Sequence, residues 1–368
     1  LSSKNIFGKF YPRWGRNNRF MLRFFHLPYW LLSVCGFLIA ILLGACAGEM
    51  PETPVTTDCR EVPHLMGSTT ICGTPQKVVV LGDHSLDLLL SLGRQPAGLG
   101  SVNAFAHLET FDNPEAQIPY LGQFVTTQPV NVGDSSQPSL EVLTQLKPDL
   151  IVGEGGRNQD NYKLLSQIAP TLLWDIRTKE GQWQKNIQAL ALALGSPEKE
   201  TAAISRYDDL VAEARSDLSV AIEAAPKALL LGASRLNSGE IIAITPKSYL
   251  GELMESLGFQ VIAPPTTLNY APLSLEVLPT MDEADRIFVL GYDVGNNQDI
   301  STANTDELLA AQTAGIEKDW AENAIAQALP ASQADQVYFA TYWMWNGLNG
   351  PLGTELILEE LRQFLLAQ

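Results

Sequence analysis

The chain has 368 residues, with 41 acidic against 24 basic side chains, a net charge of −17, and 46% hydrophobic but only 18% charged residues. Sparse charge and plentiful apolar residues exclude a disordered chain, and the acidic balance argues against a nucleic-acid partner. The length leaves room for two domains of ordinary size behind an N-terminal segment.

Residues 1–45 contain Lys4, Lys9, Arg13, Arg16, Arg19 and Arg23 and no Asp or Glu, so setting these aside leaves about −23 on the remainder. Residues 27–48 are uncharged, and Leu, Ile, Val and Phe dominate residues 29–45. Basic flank, apolar run and closing small residues have the order of a bacterial signal peptide, here residues 1–45. The ending Leu43-Gly44-Ala45-Cys46 resembles a lipobox, whose Cys is lipidated and becomes the mature N-terminus. Met21, followed by Arg23, opens a signal of normal length, and residues 1–20 then read as an over-extended start. The alternative is an uncleaved transmembrane anchor, since the run is just long enough to span. Export would place the protein at the periplasmic or extracytoplasmic face, lipid-anchored to the membrane. Residues 46–66 read as the lipidated Cys with a flexible tether and hairpin arm, rich in Pro and Thr at first. Cys59 and Cys72 then lie where disulfides persist, on opposite arms of a short hairpin that a bond between them would staple.

Strands and helices alternate from there. Lys77–Gly82 reads as a buried strand, followed by Asp83-His84-Ser85 at its carboxyl end and a helix from Leu86 to Leu92. A second short strand covers residues 96–100, and the loop 101–107 comes next. Ser139-Leu140-Glu141-Val142-Leu143 starts a short helix that leads into the apolar run 150–153; the loop 154–158, a helix over 162–168 and a strand through Leu172-Leu173-Trp174 complete this lobe, residues 67–196. Ser196-Pro197 opens one long connecting helix, 197–225, with Tyr207, Leu210, Val211, Ala214 and Leu218 along one side. After Pro226 the rhythm restarts in a C-terminal lobe, 226–368. There the same pentapeptide recurs as Ser274-Leu275-Glu276-Val277-Leu278, again followed by an apolar strand ending at Gly. One supersecondary unit is thus used twice. The expected fold is α/β: two Rossmann-like lobes with mainly parallel sheets, joined by one long rigid helix, with a ligand cleft at the carboxyl ends of the strands.

The ordered set Thr69-Thr70…Pro75-Gln76-Lys77-Val78-Val79-Val80-Leu81, Leu92-Gly93-Arg94-Gln95-Pro96, Pro138-Ser139-Leu140-Glu141 with Leu146-Lys147-Pro148-Asp149, Ile168-Ala169-Pro170-Thr171, Asp335-Gln336-Val337-Tyr338 and Trp345-Asn346-Gly347 resembles the periplasmic-binding-protein family for iron–siderophores and vitamin B12. That resemblance implies two α/β lobes on a rigid helix, a ligand between them, and delivery to the permease and ATPase of an ABC importer. It implies a monomer that is not an enzyme and carries no cofactor, its ligand being a ferric siderophore; the alternatives are cobalamin or haem, and less so an exported enzyme on the same fold. The family's permease-docking Glu on each lobe matches Glu141 and Glu276.

Catalytic signatures with both spacing and context are absent from the sequence, and its His residues are not in paired metal-ligand spacing, so no direct metal site is expected. An already chelated ferric ion instead asks for Arg to meet its oxygens and aromatic walls for the rest. Arg157, Arg177 and Arg235 lie on cleft-side loops, Tyr270, Tyr292, Tyr342, Trp343 and Trp345 supply aromatic candidates, and His84 comes just after the first buried strand. Asp134 to Gln137, just before the Pro138 motif, lacks the Arg that some hydroxamate receptors carry there, which moves weight onto Arg157 and Arg235.

Overall fold

The computed structural model describes residues 58–101, 108–175, 178–236, 241–292 and 305–366. The residues expected to form the signal segment with Cys46 and most of the tether, and Arg177, lie outside the described residues. Among the described residues no helix is long and apolar enough to cross a membrane.

The chain enters as an antiparallel hairpin, β1 (Cys59–His64) and β2 (Gly67–Cys72), turning at Leu65-Met66. Its register sets Cys59 opposite Cys72, and the two are joined by a disulfide. Gly67 at φ 117° takes up the turn in a conformation that other residues adopt only under strain. The expected boundary between residues 66 and 67 therefore falls inside one hairpin, and that hairpin belongs to the N-terminal lobe. The Leu65 amide donates to the Leu173 carbonyl (2.9 Å), the Leu173 amide to His64 Nδ1 (3.3 Å) and the Thr69 hydroxyl to the Thr171 carbonyl (3.2 Å).

The lobe itself is built from β3 (Val78–Leu81), α1 (Asp83–Ser91), β4 (Gly98–Ser101), β5 (Val130–Asp134), α2 (Leu140–Leu146), β6 (Leu150–Glu154), α3 (Tyr162–Ile168) and β7 (Thr171–Trp174). The five strands pair in the order β5-β4-β3-β6-β7, all parallel. Their unbroken apolar runs are explained by burial on both faces. Val79, Leu81 and Ile151 face a cluster with Leu143 and Leu165, whereas Val78, Val80, Leu150 and Val152 face the main core. This is the period-two alternation of a strand expressed between two apolar layers rather than between core and water.

Helix α4 (Gln182–Ala193) and the 27-residue α5 (Glu198–Ala224) connect the lobes. At 1.5 Å per residue α5 is about 40 Å long. Two arginines close helix C-termini: Arg60 donates to the Leu192 and Ala193 carbonyls of α4, and Arg286 to the Ala221 carbonyl of α5 and that of Ala225 just beyond it.

The second lobe holds β8 (Lys227–Ala233), β9 (Ile241–Ile244), α6 (Tyr249–Leu257), β10 (Gln260–Ile262), β11 (Tyr270–Leu273), β12 (Arg286–Gly291), α7 (Thr305–Glu322), β13 (Val337–Thr341) and α8 (Pro351–Leu366). Its sheet runs β11-β9-β8-β12-β13, with β10 beside the start of β8. Strands β8, β10, β12 and β13 are parallel; β9 and β11 are antiparallel additions.

The two pentapeptides diverge in structure. The first is an α-helix whose Ser139 hydroxyl accepts from the Val142 amide. The second, Leu275–Met281, is a 3-10 helix with Pro279 inside it. Pro279 stands where the first copy has Thr144, and a ring without an amide hydrogen breaks the i to i−4 ladder. The expected second α-helix is therefore replaced by a tighter turn, which still leads into a buried strand.

One apolar core runs through both lobes, joining α1 and α4 residues such as Leu88 and Trp183 to Tyr249, Phe288, Trp345 and Leu358. At its centre the carboxylate of Asp87, on α1, accepts from the Leu352 and Gly353 amides in the first turn of α8 (3.1 and 2.7 Å) and from Ser91 (3.1 Å). A Cβ on Gly350 would stand 2.6 Å from the Asp87 carboxyl carbon, so only glycine lets the helix start approach. Burial pushes the Asp87 carboxyl up to about 6 against the opposing pull of these amides.

An acid raised on folding binds its proton more tightly in the folded than in the unfolded chain. Its contribution to stability is present below the unfolded value of 3.8 and is lost as pH rises through about 6. The loss amounts to about 3 kcal/mol over that window. Asp87→Asn should therefore flatten the pH dependence of the unfolding free energy between about pH 4 and 6 relative to the wild type; parallel curves from urea denaturation would refute this assignment.

Candidate ligand cleft

The carboxyl ends of the strands bring residues of the two lobes together. On the N-terminal side Gly82 follows β3 and Asp83 opens α1; on the C-terminal side Thr341 ends β13 and leads into a π-helical turn, Met344–Leu348. Trp343 donates its indole N–H to Asp83 Oδ2 (2.5 Å), and Tyr120 pairs its hydroxyl with Thr341 (2.5 Å) while meeting Trp343 edge-on, with ring centroids 6.3 Å apart. Burial raises the Tyr120 hydroxyl well above the usual phenol range, so it remains a neutral hydrogen-bonding group. Two polar bridges and an aromatic contact thus join the lobes here.

Beside this junction lies a pocket of about 260 Å³ lined by Thr178, Ile242, Ile244, Asn269, Tyr270, Tyr342 and Asn346. Asn269 donates to the Thr178 hydroxyl (2.6 Å) and Asn346 to the Tyr342 hydroxyl (2.6 Å). Tyr292 meets Tyr342 edge-on, with centroids 5.4 Å apart. A Cβ on Gly232 would sit 3.0 Å from Ile242 and 3.1 Å from the Tyr342 ring, so the glycine in β8 leaves both side chains room against the sheet. The described lining is uncharged. It offers hydroxyls, amides and aromatic faces, a set suited to a ligand arm with an apolar body and a few hydrogen-bonding atoms.

The residues expected in the cleft are distributed unevenly. Tyr270 and Tyr342 line the pocket, Tyr292 backs it, and Trp343 spans the junction. Trp345 is fully buried, donating to Glu360 and packed against Phe288 and Phe364. It belongs to the core. His84 is also fully buried: Nδ1 bonds the Leu348 carbonyl (2.7 Å), and Nε2 bonds the Asn186 amide group (3.0 Å). Its ring fastens α1 to the π-helical turn and to α4. Arg157 is exposed on the short turn Gly155–Asn158 after β6. That turn is pinned by Asn158, which accepts from the Glu154 amide (3.0 Å) and donates to the Ser135 carbonyl (2.7 Å).

Arg235 lies just beyond β8 in a two-pronged pair with Asp319 of α7, at 2.8 and 2.6 Å. Glu141 and Glu276 are exposed at the starts of their helical turns. The Glu276 carboxyl is held below its usual range by its own backbone amide and by Ser274. Sequence reasoning missed Thr178, Ile242, Ile244, Asn269 and Asn346. The only available cues were the position of Asn346 just after a strand end and that of Asn269 beside Tyr270.

The sequence profile described as "Periplasmic binding protein" matches residues 78–341. The Fe(3+)-citrate-binding protein YfmC of Bacillus subtilis is 28% identical over 326 residues, covering 86% of this chain and 91% of that protein. The probable siderophore-binding lipoprotein YfiY of the same organism is 25% identical over 343 residues, covering 90% and 96%. Among solved structures, Staphylococcus aureus SirA complexed with staphyloferrin B superposes with a TM-score of 0.64 at 27% identity, covering 83% of this chain and 98% of that one.

If His84 is a fastener, His84→Ala should lower stability by about 1–3 kcal/mol through two lost buried hydrogen bonds, read as a shift in the urea midpoint. The folded fraction should keep its ligand affinity. Lost affinity at unchanged stability would instead return His84 to the binding surface.

Proposed function

The chain belongs to the periplasmic binding protein family, and from that premise we propose that it is the substrate-binding component of an ABC importer. In this reading it captures a ferric siderophore outside the cytoplasmic membrane and delivers it, chemically unchanged, to the permease. The observation that carries the reading is the aromatic and amide-lined pocket beside the Asp83–Trp343 junction, at the strand ends of two similar lobes. The relatives whose names refer to ferric citrate and to siderophores support the class of ligand. Tyr270, Tyr292, Tyr342 and Trp343 form the aromatic wall, and Arg157 and Arg177 are the cations offered to chelate oxygens, Arg235 being already paired with Asp319. Cys46 carries the lipid that holds a monomer at the membrane surface.

Glu141 and Glu276 are the permease contacts. A single Glu at a helix start is explained by the helix dipole, worth a few tenths of a kcal/mol when exposed. An exposed Glu at the same place on each lobe has a further use, because two anions on separate lobes can register both lobes against one partner.

Titration with a ferric siderophore, followed by intrinsic fluorescence and native mass spectrometry, tests the ligand. Saturable quenching is expected, since Trp343 spans the junction, and Arg157→Ala should weaken binding by about 1.5–3 kcal/mol, the range for hydrogen bonds to charged groups. Absence of any complex with a panel of ferric siderophores would overturn the reading.

For docking, Glu141→Lys combined with Glu276→Lys should leave folding and ligand affinity intact while uptake of labelled iron collapses. Wild-type uptake by the double variant at limiting ligand would reduce both residues to helix-start anions.

A further inference from the structure

The pair between Arg235 and Asp319 has a geometry that bears on which chelate the cleft accepts. The guanidinium places Nε 2.8 Å from Oδ2 and Nη2 2.6 Å from Oδ1, and Oδ2 also accepts from the Leu236 amide at 3.0 Å. The carboxylate is buried, with 7% of its side chain exposed, whereas half of the Arg235 side chain reaches solvent. Arg235 holds the Asp319 carboxyl below its usual range, so it stays ionised at neutral pH. Two nearby lysines also stand in ion pairs, though exposed ones: Lys179 with Asp175 at 2.8 Å and Lys247 with Glu180 at 3.2 Å. Among the described residues the pocket lining carries no charge.

We infer that Asp319 is a specificity-determining residue: by neutralising Arg235 it fits the C-terminal half of the cleft to ferric chelates of low net charge and disfavours polyanionic ones. This rests on the reading of the cleft as a ferric-chelate site. A polyanionic chelate that recruits Arg235 must draw the guanidinium away from Asp319, leaving a buried carboxylate with only the Leu236 amide as donor, or else approach that carboxylate closely. Both carry a cost at a carboxylate shielded from water. A neutral chelate, bound through hydroxyl, amide and aromatic contacts, meets neither cost. Selectivity thus comes from a built-in repulsion as well as from attraction. The plainer alternative is that Asp319 merely ties the Leu236 amide to α7, in which case chelate charge is irrelevant to it.

The test compares two probes, a neutral ferric trihydroxamate complex and a polyanionic ferric tricatecholate complex, on the whole protein and on Asp319→Asn, Arg235→Gln and the double variant. The readout is the ratio of the two affinities, with a thermal melt for each variant. The wild type should favour the trihydroxamate. Asp319→Asn should move the ratio toward the tricatecholate by on the order of tenfold, the size of one released charge-assisted hydrogen-bonding pair. Arg235→Gln, which strands Asp319, should move the ratio the other way, and the double variant should return it to the wild-type value. If Asp319→Asn fails to fold, the opposite shift in Arg235→Gln alone decides the matter. A wild-type preference for the tricatecholate, or a ratio unmoved by the variants, overturns the inference while leaving the chelate site standing. Binding of neither probe, together with failure of the wider siderophore panel, removes both readings.

Discussion

The carboxylate of Asp87 sets the frame of the molecule. It is a charge-bearing group buried at the meeting of two lobes, and it persists there because the amides of Leu352 and Gly353, at the positive end of α8, point at it from the other lobe. Neither lobe could bury its share alone: α8 would keep unsatisfied amides and α1 an uncompensated acid. The continuous apolar core and the His84 bonds to Leu348 and Asn186 reinforce the same joint. The cleft inherits its geometry from this joint. Asp83 lies one helical turn before Asp87, and Trp343, its partner, lies shortly before the turn that leads into α8.

Much of this was legible in the sequence because it depends on local pattern. Unalternating apolar runs at Val78–Leu81 and Ile287–Leu290 can be satisfied only by a sheet covered on both faces. The long polar-faced segment between Pro197 and Pro226 could only be one helix, and the paired cysteines faced each other across an obvious hairpin. Local pattern was a poorer guide where one residue changes the hydrogen-bond ladder. Pro279 turns the second pentapeptide into a 3-10 helix although its first five residues repeat the first copy.

The site was less legible, for two physical reasons. A helix that begins nearly a turn early draws the residues of the strand end into its own first turn. With α1 starting at Asp83 rather than Leu86, His84 turns into the core instead of standing at the strand end. Pairing between distant segments also leaves no local trace. Asp319 lies on a helix 84 positions from Arg235, so a cation that reads as free in the sequence is neutralised in the fold. Thr178, Asn269 and Asn346 likewise come from three separate stretches and meet only when both lobes are assembled.

The hairpin along β7 carries a consequence for how copies of the chain behave together. A terminal strand of a sheet presents a row of amides and carbonyls that another chain can pair with, and such rows seed aggregation. Here the donor and acceptor of Leu173 and the carbonyl of Thr171 are already taken by His64, Leu65 and Thr69. The Cys59–Cys72 bond closes the hairpin at its far end, and Arg60 ties its first arm to the last carbonyls of α4. Where copies are crowded at one surface, the N-terminal sheet therefore offers neighbouring chains no template on that side.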